Sequence, residues 1–263
     1  MDHDTHDHDH GLRHDLPRLI GRRRALALLG LGAAALANPA MAADVLTCVA
    51  DAIETEGPYP ADGTNAKAGQ TVNVLTQEGV IRNDLRTSFG GMTPTADGVP
   101  LEIELTLVDV NNACAPVAGY ALYLWHCDTE GHYSLYDETD RNYLRGVGIS
   151  DENGVVRFTT IVPGCYDGRW PHMHFEVFAN PDDIATGRDS LLISQVAFAE
   201  ADCATVYTDS RYATSARNLP RQSLARDMVF SDSTEAQMTQ RTVTMTGDNS
   251  SGYQGTVRIG LSV

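Results

Sequence analysis

Short alternations of apolar and polar residues, separated by turn formers, occupy the chain from about residue 43 to its end. Residues 101–110 (LEIELTLVDV) alternate with the two-residue period of a strand that buries one face. Residues 120–125 form a second run, closed by the Asp-Thr-Glu-Gly turn at 128–131. A third, residues 155–162, lies between the turn signals Asp151-Glu152-Asn153-Gly154 and Pro163-Gly164. Residues 172–178, 191–198, 241–246 and 255–261 complete the predicted strands. No long segment keeps a 3.6-residue period. The pattern predicts an all-β fold, an antiparallel β-sandwich, with irregular N- and C-terminal extensions. Residues 55–69 (TEGPYPADGTNAKAG) should wrap the outside of the sandwich, and residues 218–237 are polar and irregular, with room for a short helix. Without an internal repeat or a linker, residues 43–263 read as one domain.

The first 42 residues follow a different logic. Arg22, Arg23 and Arg24 precede an apolar run at 25–37, and Ala40-Met41-Ala42 offers a cleavage site. Thirteen residues at about 1.5 Å each fall well short of a hydrocarbon core of roughly 30 Å. The segment therefore reads as a signal peptide rather than a membrane anchor. The adjacent arginines permit the twin-arginine route, and the ordinary secretory route is also open. Either would place the chain in the periplasm or outside the cell. Five histidines interleaved with aspartate at 1–14 belong to this leader.

Charge narrows the partners. The leader holds five acidic residues and five arginines, so the net charge of −16 stays with the remainder, which has a single lysine, Lys67. Such a surface argues against nucleic acid and against anionic membranes, and is otherwise a solubility device. Five cysteines in an exported chain suggest disulfides with one thiol left over. Cys114 and Cys127, flanking a turn and a strand, are the expected pair, with Cys48–Cys203 a second and Cys165 free.

Four histidines remain beyond the leader: His126, His132, His172 and His174. On a strand, His172 and His174 face the same side and could share a metal, while Met173 turns into the core. Tyr166 lies six residues before His172, and Tyr133 lies upstream in Gly131-His132-Tyr133. A free phenol ionises near pH 10, so phenolate ligation at neutral pH needs a strongly polarising cation. Hard anionic oxygen suits iron(III) better than zinc or copper(I). Two bland readings stand beside this one, tyrosines that merely pack and two ordinary histidines on a sheet face; a rival metalloenzyme would use the pair for copper or zinc with water as fourth ligand. A non-catalytic binding module is the further alternative.

The segments CAPVAGYALYLWHCDTEGHYS (114–134) and YLRGVGISDENGVVRFTTIVPGCYDGRWPHMHF (143–175) resemble the intradiol ring-cleavage dioxygenases, the group of catechol and protocatechuate dioxygenases. Thr55-Glu56-Gly57-Pro58-Tyr59 resembles a T-x-G-P-Y segment of the same family. The likeness spans roughly residues 46–200 and fades beyond Cys203. It implies an enzyme that opens catechol-type rings between the two hydroxylated carbons, using dioxygen and iron(III), to give muconate-type acids.

The resemblance assigns Tyr133, Tyr166, His172 and His174 as iron ligands, Tyr166 being the one released by substrate. Arg169 is implied as the group that stabilises negative charge on bound substrate, and Gln195, in LISQVAF, as a catalytic glutamine standing behind the metal ligands, once an insertion is allowed for. Trp125 falls at the pocket edge, or in its bland role in the core, and Gly57 and Pro58 fall beside the substrate. The cysteines at 114 and 127 suit exported members. Cys165, just before the second tyrosine, departs from the family pattern, as does the short stretch from Tyr166 to His172. The partners implied are a small catechol-type molecule and O2; a homo-oligomer is left open.

Overall fold

A computed structural model describes residues 47–263. The predicted export segment, 1–42, lies outside the described residues. Eleven strands and three short α-helices are found among the described residues. Strands β1 (Asp62–Lys67) and β2 (Gln70–Asn73) form a small antiparallel hairpin. The remaining strands are β3 (Pro100–Asp109), β4 (Ala115–Pro116), β5 (Ala121–Trp125), β6 (Arg145–Ile149), β7 (Val155–Ile161), β8 (His172–Phe178), β9 (Leu192–Phe198), β10 (Thr242–Asp248) and β11 (Gly252–Leu261). Helices α1 (Glu200–Val206), α2 (Ala213–Asn218) and α3 (Glu235–Arg241) lie between β9 and β10.

The strands order as β4-β3-β11-β10-β9-β8-β5-β6, with β7 on the free edge of β3 over most of its length. Only Thr242 and Val243 of β10 reach β9, so one curled sheet folds into two halves with a core between them. The sandwich-like all-β expectation holds, with one difference. Two pairs, β3 with β11 and β9 with β10, are parallel. A parallel neighbour needs a crossover rather than a hairpin, and the helical stretch after β9 supplies one. All seven predicted strands are present with ends shifted by a few residues at most. Four strands, β1, β2, β4 and β6, are not predicted; β6 reads RGVGI, in which two glycines and an arginine hide any alternation.

The core between the halves is built from one face of each strand: Leu101, Ile103, Leu105 and Leu107 of β3, Val156 and Phe158 of β7, Leu122 and Leu124 of β5, and Met173, Phe175 and Val177 of β8. The opposite face of β5 and β8 is also sealed. There a second layer gathers Ala121, Tyr123 and Trp125 with Ala61, Val74, Tyr133 and Tyr136. The segment at 55–69 does cover the outside, as expected, but contains β1 and holds order through buried Arg145. That guanidinium donates to the Pro60 carbonyl at 3.0 Å, the Ser134 carbonyl at 2.9 Å and the Tyr123 hydroxyl at 2.9 Å. One buried cation thus fastens the N-terminal segment and the loop carrying Tyr133 to the same sheet face.

The disulfide expectation is corrected. Cys114 bridges Cys48, with 5.9 Å between Cα atoms, and Cys127, Cys165 and Cys203 are buried free thiols. Cys114 stands beside β4 on one half of the sandwich. The chain then crosses to the other half before Cys127, so short separation along the sequence does not bring the two together. Cys203 sits in the core on α1 and leaves Cys48 to its actual partner. Cys165 is free, as expected, and burial pushes its thiol up to about 12, which keeps it protonated.

Candidate metal and catalytic site

β8 is the platform. Its two-residue period sends His172 and His174 to the outer face, beneath the cover of the N-terminal segment. Their Nε2 atoms are 3.0 Å apart. Tyr133 Oη lies 3.4 Å from His172 Nε2 and 3.3 Å from His174 Nε2, and Tyr166 Oη lies 3.3 Å from His172 Nε2. Four donors from three segments converge on one point. Ligands about 2.0–2.1 Å from a shared metal stand about 2.8–3.4 Å apart at right or tetrahedral angles, so this spacing suits a single ion. Among the described residues, no group of three or more His, Cys, Asp or Glu side chains is placed to hold a metal. A metal here has to draw on the tyrosines.

The protonation of these groups fits that role. His172 donates through Nδ1 to the Trp170 carbonyl, which leaves the Nε2 lone pair facing the site. Burial, with Arg169 adding to it, pushes His172 down to about 3, and burial with His172 nearby holds His174 well below its ordinary value. Both imidazoles are neutral. Burial pushes Tyr166 up to about 12, and burial with Tyr166 beside it holds Tyr133 well above the ordinary phenol value. Each phenol keeps its proton until a strong positive field displaces it.

The loops that carry the tyrosines interlock at a glycine. Gly131 has φ +94°, and a Cβ built there would meet Tyr166 Cβ at 2.7 Å. The glycine two residues before Tyr133 therefore admits Tyr166 at the same point. A second glycine serves His174: Gly57 has φ +72°, and its missing Cβ would lie 3.3 Å from His174 Cε1. Trp125 stacks on the same imidazole at 4.9 Å and 10°. His174 is oriented by packing, for its Nδ1 is buried without a hydrogen-bond partner among the described residues.

Arg169 and Gln195 also meet: Arg169 Nη2 donates to Gln195 Oε1 at 2.6 Å, and Gln195 Nε2 donates to the Thr55 carbonyl at 3.1 Å. Trp125 is fully buried, a support behind His174 rather than an open pocket edge. Pro58 is placed less directly, its carbonyl accepting from Asn65 Nδ2 at 2.7 Å. Residue Tyr59 of the same segment packs 4.8 Å from the Tyr133 ring.

The other histidines and tyrosines are elsewhere. His126 is buried, donating to the Cys127 carbonyl and accepting from Thr160 Oγ1 at 2.7 Å, while His132 lies 3.7 Å from Glu138. Tyr136 donates to Asn65 Oδ1, and Tyr143 accepts from Arg141 Nη1. One participant escaped the sequence pattern: Asp227, in the irregular segment 218–237, accepts from Arg169 Nε at 2.9 Å. An aspartate among turn formers carries no local signal of that role.

Known proteins offer close parallels. The sequence model of the family described as "Dioxygenase" matches residues 75–245, extending past Cys203. Catechol 1,2-dioxygenase 1 of Acinetobacter lwoffii is 32% identical over 121 residues, 44% of this chain and 34% of that protein. A catechol 1,2-dioxygenase of Pseudomonas sp. (strain EST1001) is 31% identical over 74 residues, 28% of this chain and 24% of that protein. The matched segments thus span about a third or less of these curated relatives. Among solved structures, an intradiol ring-cleavage dioxygenase from Tetranychus urticae superposes with a TM-score of 0.59 at 25% identity, covering 81% of this chain and 94% of that one.

Proposed function

The chain belongs to the intradiol ring-cleavage dioxygenase family, and on that premise we propose that it is a non-haem iron(III) enzyme cleaving catechol-type rings between their hydroxylated carbons. The products are muconate-type dicarboxylic acids, and the second substrate is O2. The observation that carries this reading is the convergence of two neutral imidazoles and two phenols, with 3.0 to 3.4 Å between the contacting donor atoms.

Tyr133, Tyr166, His172 and His174 are the residues that would hold the metal. A bound iron(III) would supply the positive field that ionises the phenols and would withdraw electron density from a catechol held beside them. Tyr166 is the more exposed of the two tyrosines. Its Oη is the one placed to accept a proton from an incoming catechol hydroxyl. Tyr133, His172 and His174, all fully enclosed, stay in place and fix the ring's approach. Arg169 donates N–H to the negative charge that develops on the substrate oxygen, a preorganised electrostatic contribution. Trp125 and Gly57 close the far side of His174 and exclude water there.

Protein loaded with iron(III) is expected to show a broad visible phenolate-to-iron band, O2 uptake with simple catechols, and a muconate-type product. Colourless protein with full iron occupancy, or a ring opened outside the two hydroxylated carbons, overturns the reading. Elemental analysis separates it from a copper or zinc site. The same proposal extends to location: export to the periplasm or beyond is supported by the arginine-led apolar run at 25–37 and by the Cys48–Cys114 bridge. Sequencing the mature N-terminus tests it, with cleavage expected near residue 42.

A further inference from the structure

Arg169 is 9% exposed, and an arginine side chain left to itself samples many rotamers. Here it does not. Asp227 Oδ2 accepts from Arg169 Nε at 2.9 Å, and Oδ1 accepts from Nη2 at 3.2 Å, a two-point clamp on one edge of the guanidinium. The remaining hydrogen of Nη2 goes to Gln195 Oε1. Nη1 has no protein partner among the described residues, which leaves its two hydrogens for a ligand.

The same carboxylate reaches further. Oδ2 also accepts from the Trp170 N–H at 2.7 Å, and Oδ1 from the Val229 N–H at 2.9 Å. The carbonyl of Trp170 holds His172 Nδ1. Asp227 is therefore tied to the anion-stabilising group directly and to a candidate ligand through one residue. Four N–H donors on a carboxylate whose side chain is 1% exposed leave it no freedom to rotate.

We propose that Asp227 is a positioning residue for the ring-cleavage reaction: it aims Arg169 Nη1 at the substrate oxygen and keeps the guanidinium from following the substrate's charge. This inference rests on the proposed function and adds to it a residue from the segment least readable in sequence. The carboxylate balances the arginine charge and makes the hydrogen-bond donor directional. An unclamped Arg169 would still be cationic, but would have to reorganise during the reaction.

The test compares D227N, D227E, R169Q and the double variant R169Q/D227N in the iron-loaded, full-length protein. Asparagine matches aspartate in size but turns one oxygen site into a donor facing other donors. D227N is expected to lower kcat by about 10- to 100-fold. KM, iron content and the visible band should stay near wild type. In the R169Q background the same change should cost less than about twofold, because nothing remains to be aimed. Equal losses in both backgrounds, or iron falling in step with activity, would show a merely structural role and overturn the proposal. D227E keeps the charge on a longer arm and provides the second variant if D227N does not fold; it too should lower kcat only where Arg169 is present. A crystal structure of D227N settles the question without turnover: Arg169 should leave its present orientation, and an unmoved guanidinium rejects the idea. Wild-type protein that binds iron yet opens no ring fails the proposed function instead, and the crystallographic arm still decides the role of Asp227.

Discussion

The two faces of β8 are equally buried and differ in kind. Met173, Phe175 and Val177 enter the core between the sheet halves, where each apolar side chain is worth about 1.5–3 kcal/mol. His172, His174 and Glu176 enter the layer on the other side, just as enclosed. The buried side-chain atoms without a hydrogen-bond partner among the described residues are Asp62 Oδ2, Trp125 Nε1, His174 Nδ1 and both Glu176 oxygens. All of them belong to that second layer. Burial with Asp62 alongside raises the Glu176 carboxyl well above its ordinary value, so a proton can sit between the two acids. His174 Nδ1 and Trp125 Nε1 have no such remedy. An unmade buried hydrogen bond costs about 1–3 kcal/mol, so packing alone would not select this face. One side of the strand holds the fold together, and the other carries a site at some expense of stability.

Substitutions on the two faces should separate along that line. H174A is expected to abolish the visible band and reduce O2 uptake to background, while the purified variant stays folded by circular dichroism. Global unfolding of H174A would break the comparison. F175A should do the reverse: a loss of about 3–5 kcal/mol in urea unfolding, with iron per folded molecule near wild type. Loss of the band from folded F175A would show that the faces are not independent. G131A is a finer test, because the added Cβ meets Tyr166 at 2.7 Å on a backbone at φ +94°. It should cost about 1–3 kcal/mol and shift the visible band, with iron retained by the other three donors. An unshifted band would remove Tyr166 from the ligand set.

The smallest effect concerns pH. Glu176 binds its proton more tightly folded than unfolded, its ordinary value being 4.5. Its contribution to stability is therefore fully present below about pH 4.5 and is lost as pH rises through the higher folded value. E176Q, which mimics the neutral acid, should flatten that slope and exceed wild type in stability at the alkaline end. Parallel melting curves of the two proteins across pH would refute it.

Legibility followed the range of the interactions. The HMHF motif was readable because strand period is local: two residues on, same face. Spacing and phenol chemistry single out Tyr133 and Tyr166 and resemblance assigns them as ligands, and the structure adds the reason for their motif, since Gly131 leaves room for Tyr166. Trp125 and Gly57 were named, but their shared task of holding His174 emerges only when strand and N-terminal segment are brought together. Asp227 is invisible in the sequence, 58 positions from Arg169 with two strands and two helices between, and lying among turn formers. The Cys114–Cys127 expectation fails because proximity in sequence is a poor guide where a chain crosses from one half of the sheet to the other.

By itself, then, the amino-acid sequence determined the strand period, the all-β class, the two-histidine platform and the family, all of which depend on neighbours a few residues apart or on whole motifs. Tertiary structure alone decided the parallel pairing of β11 with β3, the Cys48–Cys114 bridge, the burial of Cys165 as an inert thiol, and the carboxylate that clamps Arg169. Each of these joins residues far apart in the chain, where the energy of the contact exists only after the intervening elements have packed.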